Sequence, residues 1–149
     1  MDLSRYKTGM MVMIAVLWLV IMFLGWQGQF VAAMVLGVIL MLLHMMLGVA
    51  HKGKLSKKFF IYPLLSWSVL WILSFILSKV FSDKFAGMIP TFTVTGLHPS
   101  FAPTFYLYWF GGMLTLSLGM YILQDHWLSQ EQWDEFVREV NTDKEETNV

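Results

Sequence analysis

The chain has 149 residues, 57% of them hydrophobic and only 13% charged, whereas soluble globular domains carry about 45–50% apolar and about 25% charged residues. An ordinary soluble domain is thereby excluded. Ten Lys+Arg balance ten Asp+Glu, so no global field steers the chain toward nucleic acid, and the lack of Cys excludes a dithiol redox site, a thiolate-bound metal and a disulfide framework.

Taken in chain order, four runs approach the roughly 20 apolar residues that a helix needs to cross hydrocarbon, at about residues 8–26, 30–50, 59–80 and 105–123. The expected fold class is all-α, a polytopic membrane protein of four transmembrane helices arranged as two hairpins in residues 1–124, followed by a tail over 125–149 with an amphipathic helix at about 130–140. The first run follows Arg5 and Lys7 but is longer than a secretory signal core and lacks a small-residue cleavage pattern, so it reads as a retained helix.

Eight Lys and Arg, namely Arg5, Lys7, Lys52, Lys54, Lys57, Lys58, Arg138 and Lys144, fall on one side of this topology, and only Lys79 and Lys84 on the other. The excess of basic residues in cytoplasmic segments predicts cytoplasmic N- and C-termini, in a cell (inner or plasma) membrane. Trp26, Tyr62, Trp109, Tyr121 and Trp127 fall near span ends, where amphipathic rings suit the headgroup layer. Trp18 and Trp71 lie deeper and are expected to pack. Val16-Leu17-Trp18 recurs as Val69-Leu70-Trp71, which we read as chance likeness between Leu-rich helices.

No Asp or Glu occurs within the four runs, so the group that usually binds and releases a coupling ion at membrane depth is missing. Lys79 is one turn from a span end and is expected to snorkel. His44 is the one ionisable side chain well inside a span. It could ligate a haem, sense pH or hydrogen-bond to a neighbouring helix; His51, His98 and His126 all lie at other depths, which disfavours a bis-His haem, and no cofactor or metal is assigned.

In the fourth span Gly111, Thr115 and Gly119 recur every four residues with Gly112 beside them, the arrangement that lets another helix approach closely. That helix could belong to this bundle or to another membrane subunit, and these residues are candidate partner contacts. Ala33 and Gly37 form a smaller set in span two. Ser66, Ser74 and Ser78 fall near one face of span three and could bond across helices, bond to their own carbonyls or line a path.

Residues 81–104 are too long for a turn and too apolar for a solvated loop, and their three prolines forbid a continuous helix. Phe92, Val94, Leu97 and Phe101 must bury, so a cap on the outer surface is expected, with His98 a candidate pathway or packing residue. Thr91 to Thr95 alternates as a short extended piece does. In the tail, Ser129 and Gln132 form a capping box. Trp133, Phe136, Val137 and Val140 then make an apolar stripe opposite an acidic face, suited to a protein surface more than to an anionic leaflet. Asn141 to Val149 are expected to be disordered. No catalytic motif is present, so the chain is not expected to be an enzyme.

From Trp71-Ile72-Leu73-Ser74-Phe75 through Gly96-Leu97-His98-Pro99-Ser100-Phe101 to Phe105, Tyr106 and Trp109, residues 60–125 resemble the two-helix small subunits that accompany sodium:solute symporters. Those subunits show a W-x-x-SF-like first helix, an outer loop ending in a glycine–aromatic pattern and a second helix that opens with aromatics. The chain departs from them by its leading hairpin, its longer outer loop and its acidic tail. The resemblance implies an accessory subunit, without catalytic residues, that serves a larger integral-membrane transport protein. Two other readings remain open: a haem- or quinone-linked electron-transfer subunit using His44, and a homo-oligomeric channel or carrier.

Overall fold

A computed structural model describes residues 1–50 and 52–147; His51, Asn148 and Val149 lie outside them. Four helices are long and apolar enough to cross a membrane, the mark of a multi-pass membrane protein, and no strand forms among the described residues. They are α1 (Lys7–Trp26), α2 (Phe30–Gly48), α3 (Lys57–Lys84) and α4 (Thr104–Ile122). A fifth helix, α5 (Gln130–Thr147), follows. The apolar runs match these helices to within a few residues at their ends, as expected where backbone groups in hydrocarbon must be satisfied within the helix itself.

Packing passes from α1 to α2, from α2 to α3 and from α3 to α4, so α1 borders α2 and leaves most of its surface facing outward. Trp18, expected to pack, is 52% exposed, whereas the corresponding Trp71 is half-buried and packs on Tyr108 of α4. The two copies of the shared tripeptide thus sit in different surroundings. Two of the helices depart from α geometry. Residues Phe60–Leu65 of α3 form a π-helical turn around Pro63, and Thr104–Gly111 and Met113–Ser117 of α4 are also π-helical. Proline brings no N–H to the ladder, and a widened turn is one way for a helix to carry it.

The tightest core lies at one end of the bundle. Leu3, Met10, Met46, Leu55, Phe59 and Leu64 bury together there, where the N-terminal segment meets residues 53–55. The Leu3 amide donates to the Gly53 carbonyl at 2.7 Å and the Leu55 amide to the Met1 carbonyl at 2.8 Å. Gly53 has φ +79°, and a Cβ there would fall 2.8 Å from Ser4 Cβ; glycine is required on both counts. Within the N-terminal segment, the Asp2 carboxylate accepts from the Ser4 amide at 2.9 Å and the Ser4 hydroxyl at 2.5 Å. These bonds, the hydroxyl first, hold its carboxyl below the usual value of 3.8.

At the opposite end, residues 85–103 fold back over the bundle. Thr95 (φ +50°) and Gly96 (φ +83°) form a tight turn whose flanking residues Val94 and Leu97 exchange backbone bonds of 3.0 Å. Two successive positive φ values define a type I′ turn, which follows the stretch expected to be extended over Thr91–Thr95. The residues that anchor this cap are Phe85, Pro99 and Ala102, all buried. Phe92 packs edge-on to Phe81 and Phe85, yet Phe92, Val94 and Phe101 stay partly open and Ile89 is 92% exposed. Burial of the cap is thus less complete than its composition suggests.

Candidate functional site

The chemistry-bearing residues of the sequence fall into three regions: the α3–α4 seam, the outward face of α2, and the tail. Along the seam, polar links join the two helices at three levels. Near the loop end, Ser78 and Thr104 share a hydrogen bond of 3.2 Å. In the middle, the Trp71 indole N–H donates to the Tyr108 carbonyl at 3.1 Å while its ring stacks on Tyr108 with centroids 4.0 Å apart. Toward the other end, the Tyr62 hydroxyl donates to the Leu114 carbonyl at 3.0 Å. Trp67 and Phe75 extend the aromatic column on either side of Trp71.

Glycine makes this approach possible. A Cβ at Gly111 would lie 2.9 Å from Leu70 Cδ1, one at Gly112 2.8 Å from Trp71 Nε1, and one at Gly119 2.8 Å from Pro63 Cβ. Gly111 and Gly119, candidates for contact with a partner, are taken up by α3 of the same chain. Thr115 spends its hydroxyl on the Gly111 carbonyl of its own helix at 2.7 Å. Of the two packing readings of this face, contact within the bundle is the one these distances display.

The serines divide in the same way. Ser66 bonds back to the Tyr62 carbonyl, and Ser68, which the sequence pattern did not single out, bonds to the Leu64 carbonyl at 2.9 Å. Ser78 reaches across to α4, and Ser74 is fully buried with its hydroxyl unpartnered. They lie at separate points of the seam, each engaged or enclosed, and do not string together into a polar path.

On α2, the His44 Nδ1 bonds at 2.9 Å to the Leu40 carbonyl of its own helix and not to a neighbour, and the ring stands on the exposed side of the bundle. His44 is four residues from Gly48, about 6 Å along the axis. No group of three or more His, Asp or Glu side chains converges among the described residues. At Gly37 a Cβ would meet nothing within 4 Å, so no helix is closely packed on that position of α2. His98 is held in the cap, its Nδ1 2.7 Å from the Ser100 hydroxyl and its ring edge-on to Phe85.

In the tail the capping box forms: the Ser129 amide donates to Gln132 Oε1 at 2.9 Å and the Gln132 amide to Ser129 Oγ at 3.3 Å. α5 continues beyond Val140 to Thr147, with the Thr142 hydroxyl bonded to the Arg138 carbonyl at 3.0 Å, so the stretch expected to be disordered from Asn141 is helical through Thr147. A salt bridge of 3.2 Å joins Glu135 of α5 to Lys52. Between α5 and the end of α2 lies a cleft of about 390 Å3 bordered by Ala50, Trp127, Trp133 and Phe136. Trp133 and Phe136 are 47% and 54% exposed and Val137 is also open, with Val140 half-buried. The stripe therefore borders the cleft without being covered by it.

Fold and site together define a class: a four-span all-helical membrane protein with an internal glycine–aromatic seam and an uncovered amphipathic helix. Comparison with protein-family models, with curated proteins and with solved structures found no match.

Proposed function

We propose that the chain is an accessory subunit of a larger transport complex in a cell membrane, with both termini and the Lys52–Lys58 loop cytoplasmic, and that α5 is a docking surface for the larger subunit. The observation that carries this is the exposed Trp133–Phe136 pair on a helix whose other face is acidic. Large aromatic anchors at the centre of a patch dominate binding energy at protein interfaces, and an acidic rim complements the Lys- and Arg-rich cytoplasmic ends of membrane helices.

Three further features support the reading. The interior of the spans offers no carboxylate for ion coupling, since Asp83, the acidic residue on α3, sits at its last turn paired with Lys79. The seam serines form no continuous path. Residues 60–125 resemble the small subunits of sodium:solute symporters. The electron-transfer reading draws less support, because His44 spends one nitrogen on its own helix and faces outward. The homo-oligomer reading loses its glycine interface to α3.

The test is a mild-detergent pull-down of the tagged full chain from its native membrane. A large multi-span protein should copurify near one to one, and the Trp133→Ala/Phe136→Ala double variant should lose it while still inserting and folding. Specific solute flux by the chain reconstituted alone would overturn the reading, as would copurification unchanged by the double variant.

A further inference from the structure

At the loop end of the bundle, residues of α2, α3 and α4 border a crevice of about 510 Å3, within the size range of small-molecule sites. Its wall toward the bundle is apolar, made by Val31 and Met34 of α2 and Phe75 of α3. Its rim is polar: Ser78, Lys79 and Ser82 of α3 and Thr104 of α4. We infer that this crevice binds the headgroup and upper acyl chain of an anionic phospholipid, with the phosphodiester at Lys79.

Depth is the first reason. Lys58 and Lys79 are 21 residues apart on one helix, about 31 Å at about 1.5 Å per residue, which matches a hydrocarbon core of about 30 Å. With the Lys58 end at one boundary, the Lys79 ammonium reaches the opposite headgroup layer, and the apolar wall lies on the hydrocarbon side of it. A space open to the bilayer at that level is filled by lipid.

Charge and hydrogen bonding are the second. Lys79 is the charged residue among those that line the crevice. Lys84 is turned away over the Phe85 ring, 5.6 Å from its centroid, so Lys79 is the cation that borders the crevice. Its partner is Asp83, one turn on, and the two side chains are 54% and 63% exposed. Exposed pairs of this kind contribute little, so a phosphodiester can take the place of the carboxylate without a large penalty. Ser78 and Thr104 use one hydroxyl hydrogen in the bond between them, which leaves the other to donate to a phosphate oxygen. A zwitterionic headgroup presents the same phosphate with a cation attached, and gains less from Lys79.

The test uses the full chain, delipidated in detergent and titrated with phosphatidylglycerol or phosphatidylcholine, with bound lipid counted by native mass spectrometry. One phosphatidylglycerol should bind in preference to phosphatidylcholine by about fivefold, the weight of one lysine at an anionic interface. Lys79→Gln should abolish the preference, and Asp83→Asn, which frees Lys79, should increase it. Water-soluble glycerophosphoglycerol should fail to displace the lipid, because Met34 and Phe75 hold its chain. Equal binding of the two lipids, a preference that survives Lys79→Gln, or a preference lowered by Asp83→Asn would overturn the assignment. Displacement by the soluble headgroup would also overturn it and reassign the crevice to a free phosphoester.

Discussion

Gly119→Ala should weaken the α3–α4 seam, whereas the chemically identical change at Gly37 should not. A Cβ at Gly119 lies 2.8 Å from Pro63 Cβ and 3.3 Å from Pro63 Cα, while carbon atoms pack best at about 3.5–4.0 Å. Proline's ring is fixed to its backbone and cannot swing aside as a leucine tip could. Relief therefore requires α4 to retreat by about 0.7–1.2 Å, the gap between the 2.8 Å contact and that optimum. Such a shift strains the nearby Tyr62–Leu114 bond. Overpacking of this kind costs about 1–3 kcal/mol. Every glycine-to-alanine change within a helix also returns roughly 0.5–1 kcal/mol of backbone entropy. Gly37 has open space around its Cα, so its alanine variant keeps that gain without the clash. The difference between the two variants cancels the entropy and isolates the steric cost, about 1–3 kcal/mol. SDS-driven unfolding in mixed micelles reads it through the intrinsic fluorescence of the seven Trp residues, of which Trp67 and Trp71 line the seam. Equal stability of the two variants, or a Gly119→Ala protein more stable than Gly37→Ala, would refute the placement of α4 on Pro63.

The middle of the seam makes a related prediction. Gly112→Ala should displace the Trp71 indole and match Trp71→Phe in its effect, each costing about 0.5–1.5 kcal/mol for the lost bond to the Tyr108 carbonyl; in the double variant the costs should not add, which a double-mutant cycle measures. Gly53→Val should open the N-terminal latch, since it combines a positive φ with a Cβ 2.8 Å from Ser4; faster hydrogen exchange at the Leu3 and Leu55 amides is the readout, and unchanged exchange would count against the bridge. The Asp2 carboxyl is held below its usual value by Ser4, so its contribution is present above the unfolded value near 3.8 and is lost as pH falls through the lower folded value. Protection of the Ser4 amide should accordingly be flat near neutrality and fall below about pH 4, and Asp2→Asn should remove that dependence.

The four long apolar helices, to within a few residues at their ends, were legible in the sequence, as was the Ser129–Gln132 capping box. Both are local properties. The free energy of placing a helix in hydrocarbon is a sum over its own residues, and a capping box closes within four residues of chain. The tail helix runs on to Thr147 past the point where its apolar content ends, since backbone bonding can continue along a polar segment and composition alone does not mark its stop.

What only the tertiary structure decided is which face of each span meets protein. Trp18 and Trp71 sit in the same tripeptide, yet one is exposed and the other half-buried against α4. Gly37 and Gly119 are both small residues in apolar runs, but only Gly119 has a helix against it. Ser78 bonds across to α4 while Ser74, on the same helix, is buried without a partner. In a soluble helix the apolar stripe announces the buried face; in a membrane both lipid and protein are apolar, so that contrast disappears. The choice then rests on shape, on a proline with a glycine opposite it and an indole within reach of a carbonyl, and those complementarities exist only once the helices are side by side.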